Sequence, residues 1–165
     1  MRKIAEKIEY SPTTIYLYLK DKTDLVQQIC DQTFADLAQE LTAIEQKRGN
    51  PLEKLRRGMR AYVNFGLVNP SQYEFVFIAP ITEGTESEYE NSTGKAAFEI
   101  LRGAAAECAA AGLLRSSNVE VTGQTLWAGI HGVTSLLIKH RNFPFVGREQ
   151  LIDNTLDTLI SGIKA

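Results

Sequence analysis

Cysteine is scarce in this 165-residue chain, with two residues, Cys30 and Cys108, and histidine is equally so. The cysteines lie far apart, each within a helical pattern and neither in a CxxC pair, so they read as reduced, half-buried thiols rather than a disulfide or a zinc site. The histidines, His131 and His140, are nine residues apart and lack the spacing of a helical metal pair. There is no apolar run of the ~18 residues that span a membrane, and Met1-Arg2-Lys3 is not followed by an apolar signal core. These absences predict a soluble, cytoplasmic protein without membrane contact, metal or other cofactor. Without a secretory signal, the sequon Asn91-Ser92-Thr93 is a chance match.

Charge of one sign is also missing. The formal net charge is −2 and the pI about 5.7, which excludes a polycation that coats nucleic acid. Catalytic signatures are absent too. No Gly-x-Ser-x-Gly elbow occurs, and Gly94-Lys95 fails as a phosphate loop because Tyr89 and Ala96 occupy the positions that need glycine and a hydroxyl. The carboxylates fall on solvated helix faces or in an acidic stretch. No catalytic residue is predicted.

What is present is helical periodicity almost throughout, with no bounded period-two alternation, so the fold class is all-α. A short helix is predicted over 1–8. A second runs from Pro12 to about Leu19, capped by Ser11 with proline at its first position. Asp21 caps a long helix whose stripe is Leu25, Ile29, Phe34, Leu37, Leu41 and Ile44. Asn50-Pro51-Leu52-Glu53 starts the next, with Leu52, Leu55, Met59, Tyr62 and Gly66 on its buried face. Asn69-Pro70 ends it, and Ser71 to Glu74 reads as a capping box opening a short aromatic segment. Thr82 to Glu88 reads as a mobile loop. An alanine-rich helix follows over about 89–111, closed by a left-handed Gly112. Asn118 or a neighbouring serine starts another helix that ends near His140. The last covers about 148–162, with Ile152, Leu156, Leu159, Ile160 and Ile163 on its apolar face.

Residues 4–22 carry the clearest functional signal: helix, tight turn, helix, loop. Ala5 provides the small residue at the crossing, and Ile8, Ile15 and Leu19 are expected to close the wedge, as in a helix-turn-helix. The second helix then offers Thr13, Thr14, Tyr16 and Tyr18 to phosphates and thymine methyls, Lys22 can reach a phosphate, and the helix start at Ser11 presents amides. Residues 1–22 hold five cationic side chains against three acidic ones, a net +2 on an acidic body. Short capped helices with half-buried tyrosines are an equally ordinary reading of that pattern.

The run Ile4-Ala5, Ser11, Thr14-Ile15-Tyr16, Tyr18-Leu19, Lys22 and Leu25 resembles the DNA-binding motif of tetracycline-repressor (TetR) type regulators. A second run, Trp127-Ala128-Gly129-Ile130-His131-Gly132, resembles the Trp-x-x-x-His-Gly signature of one TetR subgroup, so the resemblance spans nearly the whole chain. It implies a helix-turn-helix region over 1–47, with a connecting helix 22–47 shared with the body, and a ligand-binding and dimerisation domain over 48–165. It also implies a ligand-responsive repressor that binds a near-palindromic double-stranded operator, is induced by a small molecule, and forms a homodimer through its last two long helices. Ser11, Thr13, Thr14, Tyr16, Tyr18 and Lys22 are the expected DNA contacts. Tyr62, Phe65, Tyr73, Phe77, Phe98, Trp127 and His131 are the expected pocket. The pocket rings serve equally as core filling, and Trp127 with His131 as a core pair.

Two departures from the family pattern bear on this. Glu9 stands where glycine is usual, and a left-handed glutamate costs roughly 1 kcal/mol relative to glycine; Leu19 stands where phenylalanine is common. These repressors also begin with a further helix that packs over the two seen here. Starting inside the second, the chain is expected to leave Ile4, Ile8, Ile15 and Leu19 partly uncovered. Either the start lies too late or this form binds DNA poorly. The alternative function is a small-molecule-binding or protein-interaction dimer with a non-functional DNA-binding module.

Overall fold

The computed structural model describes residues 1–78 and 93–165. The expected mobile loop over 82–88, the residues proposed to start the alanine-rich helix, and Asn91 of the sequon lie outside that range. Among the described residues the chain is helical: α1 (Arg2–Lys7), α2 (Pro12–Tyr16), α3 (Lys22–Glu45), α4 (Pro51–Val68), α5 (Pro70–Tyr73), a π-helical turn (Glu74–Ile78), α6 (Thr93–Ala110), α7 (Val119–Lys139) and α8 (Arg148–Ile163). The all-α expectation holds. None of the described helices is long and apolar enough to cross a membrane.

The helix starts follow from local chemistry. Ser11 Oγ accepts from the Thr14 N–H at 3.1 Å, with Pro12 at the first helical position. Asp21 Oδ1 accepts from the Asp24 N–H at 2.9 Å, while Asp24 Oδ2 reaches back to the Lys20 N–H at 2.8 Å. Asn50 caps Leu52 and Asn118 caps Val121 in the same way, each satisfying an amide that has no intrahelical partner. Gly112 takes φ +69° after α6, as its position required.

Some boundaries differ from expectation. Helix α2 stops at Tyr16 instead of Leu19, because the Leu17 and Tyr18 amides turn back to Thr14 and Ile15, and Lys20 is captured by the Asp24 carboxylate of the next helix. The Ser71 capping box does not form. Helix α5 begins one residue earlier, at Pro70, whose fixed φ suits a first helical position, and Ser71 falls inside it. On α3 the buried residues are Thr33, Leu37 and Leu41, whereas Ile29 is exposed and Leu25, Phe34 and Ile44 are half-buried. The amino-terminal half of α3 thus stands largely outside the body.

The core lies where α4 is surrounded by α3, α6, α7 and α8, with Leu55, Met59, Val63, Leu126, Ile130, Ile152 and Leu156 all essentially inaccessible. Burying each such side chain contributes about 1.5–3 kcal/mol. Close approach fixes two glycines on these helices. A Cβ on Gly66 would lie 2.5 Å from Thr134 Cγ2 and 2.8 Å from Tyr73 Cδ2, and one on Gly129 would lie 2.7 Å from both methyls of Leu159. Charge fastens the outside. Arg56 binds Asp153 and Asp157, and Arg60 binds Asp153 and Glu149, which ties α4 to α8. Lys54, nearly buried, joins Glu107 of α6 at 2.6 Å and Glu45 of α3 at 3.5 Å.

Candidate functional site

Two regions gather the residues that sequence singled out. At the amino-terminal end, Ala5 is fully buried and Ile15 nearly so, which places the small residue at the crossing of α1 and α2. Leu19 is half-buried. Ile8 does not close the wedge: it is 51% exposed. Helix α1 ends at Lys7, and the chain at Ile8 is already turning into Glu9, which adopts φ 59°. The left-handed glutamate expected in the turn is present. Ile4 is exposed as well, so the buried residues of α1 and α2 are Ala5 and Ile15.

Thr13, Tyr16, Tyr18 and Lys22 are all exposed, Tyr16 at 54% and Tyr18 at 79%. They come from three pieces of chain: Thr13 and Tyr16 from α2, Tyr18 from the turn after it, and Lys22 from the first position of α3. Ser11 and Thr14 are engaged locally, their hydroxyls 2.8 Å apart and the Thr14 amide taken by the cap. That amide is therefore spent on the helix start and is not offered outward.

The second region lies in the body, where α4, α5, the π-helical turn and α7 meet. The indole N–H of Trp127 donates to Tyr62 Oη at 3.2 Å, Tyr62 Oη is 3.0 Å from Tyr73 Oη, and Tyr73 Oη is 2.7 Å from His131 Nδ1. Ser135 Oγ lies 3.3 Å from His131 Nε2. Tyr62 Oη also approaches His131 Nδ1, at 3.2 Å. An indole can only donate, and each phenol has a single proton. If Tyr62 donates to Tyr73 and Tyr73 to Nδ1, every proton finds an acceptor. In that arrangement His131 Nδ1 accepts and the imidazole is neutral. Tyr73 Oη is also within hydrogen-bond reach of the Ser135 and Thr134 side chains.

Burial acts in the same direction. It pushes the Tyr73 phenol up to about 12 and the Tyr62 phenol higher still, and it lowers the His131 pKa below the ordinary imidazole value. All three groups are neutral at physiological pH. No buried side-chain nitrogen or oxygen among the described residues lacks a partner.

Phe77 of the π-helical turn packs on this chain, with its ring centroid 4.7 Å from Tyr73 and 5.8 Å from Tyr62. Phe98 of α6 meets Trp127 edge-on at 6.0 Å. Between α6 and α7 an open groove of about 600 Å³ runs over Phe98 and Trp127, with Glu120, Gln124 and Thr125 on its α7 side. Six of the seven predicted pocket residues thus form one connected aromatic and polar group. The seventh, Phe65, is buried in the core and stacks on none of the other rings among the described residues. Sequence reasoning missed Ser135, although its place four residues after His131 puts both on one helical face. It also missed Lys54, a charged residue inside an otherwise apolar stripe. Among the described residues no three His, Cys, Asp or Glu side chains come together as a metal site.

A search of curated protein sequences finds no match. Solved structures match over nearly the whole chain. FadR, a transcriptional regulator from Bacillus subtilis in complex with stearoyl-CoA, superposes with a TM-score of 0.83 at 19% identity, covering 98% of this chain and 87% of that one. A protein of unknown function from Rhodococcus sp. RHA1 gives 0.82 at 18% identity, covering 99% and 84%. A TetR/AcrR family transcriptional regulator from Thermobifida fusca YX-ER1 gives 0.75 at 19% identity, covering 98% and 85%. At these identities the likeness establishes the fold. Residues 55–159 match the family model of the tetracyclin repressor-like C-terminal domain, which covers most of the body described above. The chain belongs to the TetR family of regulators.

Proposed function

We propose that this protein is a ligand-responsive transcription repressor that binds DNA as a homodimer. Residues 1–47 form the DNA-binding region and its connecting helix, and 48–165 the sensing and dimerising domain. The observation that carries this reading is the placement of Thr13, Tyr16, Tyr18 and Lys22. They are all exposed on a helix-turn-helix borne by α3, whose far end is locked into the ligand-sensing body by Lys54. Hydroxyls and rings of this kind contact phosphates and thymine methyls, and a lysine at the start of the next helix meets the backbone. Ser11 and Thr14 complete the set, Ser11 chiefly by holding the helix start.

The dimer surface proposed is the outer face of α7 with α8. Val121, Ala128 and Leu136 are exposed along α7 at steps of seven and eight residues, and apolar residues repeated on one helical face suit a helix-pair seam. A two-fold axis through that seam makes the operator near-palindromic. The small-molecule site is the aromatic and polar group around Tyr62, Tyr73, Phe77, Phe98, Trp127 and His131, and the stearoyl-CoA bound by FadR shows that a related fold accommodates an organic ligand. The ligand lowers operator affinity by preferring the body conformation in which the two reading heads are misplaced.

The test is fluorescence anisotropy against the DNA flanking the protein's own gene and a scrambled duplex, at two salt concentrations, with Tyr16→Ala as control. Preference for the flanking DNA that survives moderate salt and is lost in the variant supports repression. Equal, salt-sensitive binding to both duplexes refutes it. One observation favours a second reading, a ligand-binding or protein-interaction dimer whose amino-terminal module does not read DNA: α1 and α2 bury just Ala5 and Ile15, a small core for an independent reading head.

A further inference from the structure

From Val121 to Arg148 the chain has no acidic residue, while Lys139, Arg141 and Arg148 are cationic. Within this stretch, residues 140–147 connect α7 to α8. Their middle is apolar and uncovered: Phe143 is 59% exposed, Val146 58%, and Pro144 is exposed as well. Phe145 is half-buried, its ring centroid 4.5 Å from that of Phe143. The connection has a fixed shape, since the Phe143 amide donates to the His140 carbonyl at 2.9 Å and the Phe145 amide to the Phe143 carbonyl at 2.8 Å. Two large apolar side chains are thus held outward at the tip of a helical hairpin, already ordered for contact.

Cations flank the tip on both sides. Lys139 is bound to Glu74 at 3.3 Å. Arg141 donates from Nε to the Ile138 carbonyl at 3.3 Å, and positive charge suits the last turn of α7. Arg148 has no such reason for its place. It occupies the first position of α8, the end at which the helix dipole disfavours a cation, and it forms no ion pair among the described residues. Both arginines are exposed. A nucleic acid or an acidic protein surface would meet the cations and leave Phe143 and Val146 in water. An apolar protein surface would cover the rings and leave the cations unmatched. An anionic bilayer offers both, with phosphates at headgroup level and hydrocarbon beneath.

We propose that the α7–α8 tip is a peripheral docking site for anionic lipid bilayers: Phe143, Pro144 and Val146 enter the boundary between headgroups and acyl chains while Arg141 and Arg148 meet the lipid phosphates. Contact of this kind needs no spanning helix, and at this one loop it reverses the sequence-based expectation of no membrane contact. It rests neither on the DNA-binding nor on the effector reading. A short apolar tip alone gives weak, reversible attachment, so the charge of the lipid surface decides whether the protein stays bound.

The test is co-sedimentation of the full chain with vesicles of phosphatidylcholine alone and with vesicles in which about a third of the lipid is phosphatidylglycerol. The expected result is binding to the anionic vesicles at least roughly tenfold tighter than to the neutral ones, weakened by added salt. Phe143→Ser/Val146→Ser keeps every charge and should weaken binding about tenfold. Arg141→Gln/Arg148→Gln keeps the rings and should weaken it by roughly the same factor. All four side chains are exposed, so thermal melts of both variants should match the parent. In Phe143→Trp the added indole emission should move to the blue and be quenched by brominated lipid, whereas Trp127 of the parent, away from the tip, should not respond. Equal binding to both vesicles, or to neither, overturns the proposal. So does an unmoved affinity in Phe143→Ser/Val146→Ser, which would assign the attraction to the cations of residues 1–22. A fall in the molar mass of that variant by light scattering would mean that a second copy covers the tip. Weaker binding of Arg141→Gln/Arg148→Gln to a scrambled duplex, with vesicle binding intact, would mean that these cations serve DNA; either result also overturns it.

Discussion

Two glycines on α4 offer a sharp test of the packing described here. Gly58 and Gly66 sit on the same helix eight residues apart, and an alanine at either gains helix propensity, about 0.8–1 kcal/mol. Their surroundings differ. Nothing lies within 4 Å of a Cβ built on Gly58, whereas one on Gly66 would meet Thr134 Cγ2 at 2.5 Å and the Tyr73 ring at 2.8 and 3.0 Å. Neither neighbour can step aside cheaply. Thr134 is fully buried with its hydroxyl bonded to the Ile130 carbonyl at 2.7 Å, and Tyr73 is fully buried between the Tyr62 hydroxyl and His131. Overpacking of this kind costs about 1–3 kcal/mol or more and outweighs the propensity gain. Gly58→Ala should therefore raise Tm by roughly 2–4 °C, and Gly66→Ala should lower it by a similar or larger amount. Thermal melts followed by far-UV circular dichroism give the sign of both changes, and Trp127 fluorescence shows in addition whether the Tyr62 and Tyr73 chain has been displaced. A Gly66→Ala protein as stable as the parent would refute the close approach of α4, α5 and α7 on which the site geometry depends.

Glu9→Gly should stabilise the amino-terminal module by about 1 kcal/mol, since the left-handed φ of 59° costs glutamate and not glycine; hydrogen exchange of the Ile15 amide is a direct measure, and no added protection would count against it. Lys54→Met leaves Glu45 and Glu107 without their shared cation, so it should lower Tm more than Arg57→Met on the exposed side of the same helix, with equal effects in paired melts refuting the link. His131, held below its ordinary pKa by burial, binds a proton less readily folded than unfolded. The stability it supports is present above the unfolded imidazole value and is lost as pH falls through it toward the lower folded value. Urea titrations at several pH values should show this loss, and in His131→Asn the slope should flatten.

The periodicity of apolar residues and the caps at Ser11, Asp21, Asn50 and Asn118 were sufficient to place the helices, because each depends on neighbours within a few residues. The same locality made the left-handed Gly112 legible, whereas the left-handed Glu9 was expected from the family pattern, which has glycine there. Where two local signals compete, the outcome was decided by what surrounds them. Leu19 was in phase to extend α2, but the Asp24 carboxylate of α3 captures the chain at Lys20 first; Ser71 could have capped α5, but Pro70 starts it one residue earlier. Ile8 had the right periodicity for the wedge and is exposed, because its side chain direction is set by the turn at Glu9.

For the candidate site, the sequence by itself determined which side chains were available: aromatic residues on successive helices, with Trp127 and His131 on one face. It could not say that Tyr62 and Tyr73, eleven residues apart on two helices, would meet His131 of a third, because hydrogen bonds between elements depend on the crossing of those elements. Gly66 lets them cross closely enough, and the resulting burial keeps both phenols and the imidazole neutral. The tertiary structure also decided that Phe65, a ring in the same sequence neighbourhood, belongs to the core and that Ser135 belongs to the site. One-dimensional pattern records which way a residue faces on its own helix; which partner it finds there is settled only when the helices pack.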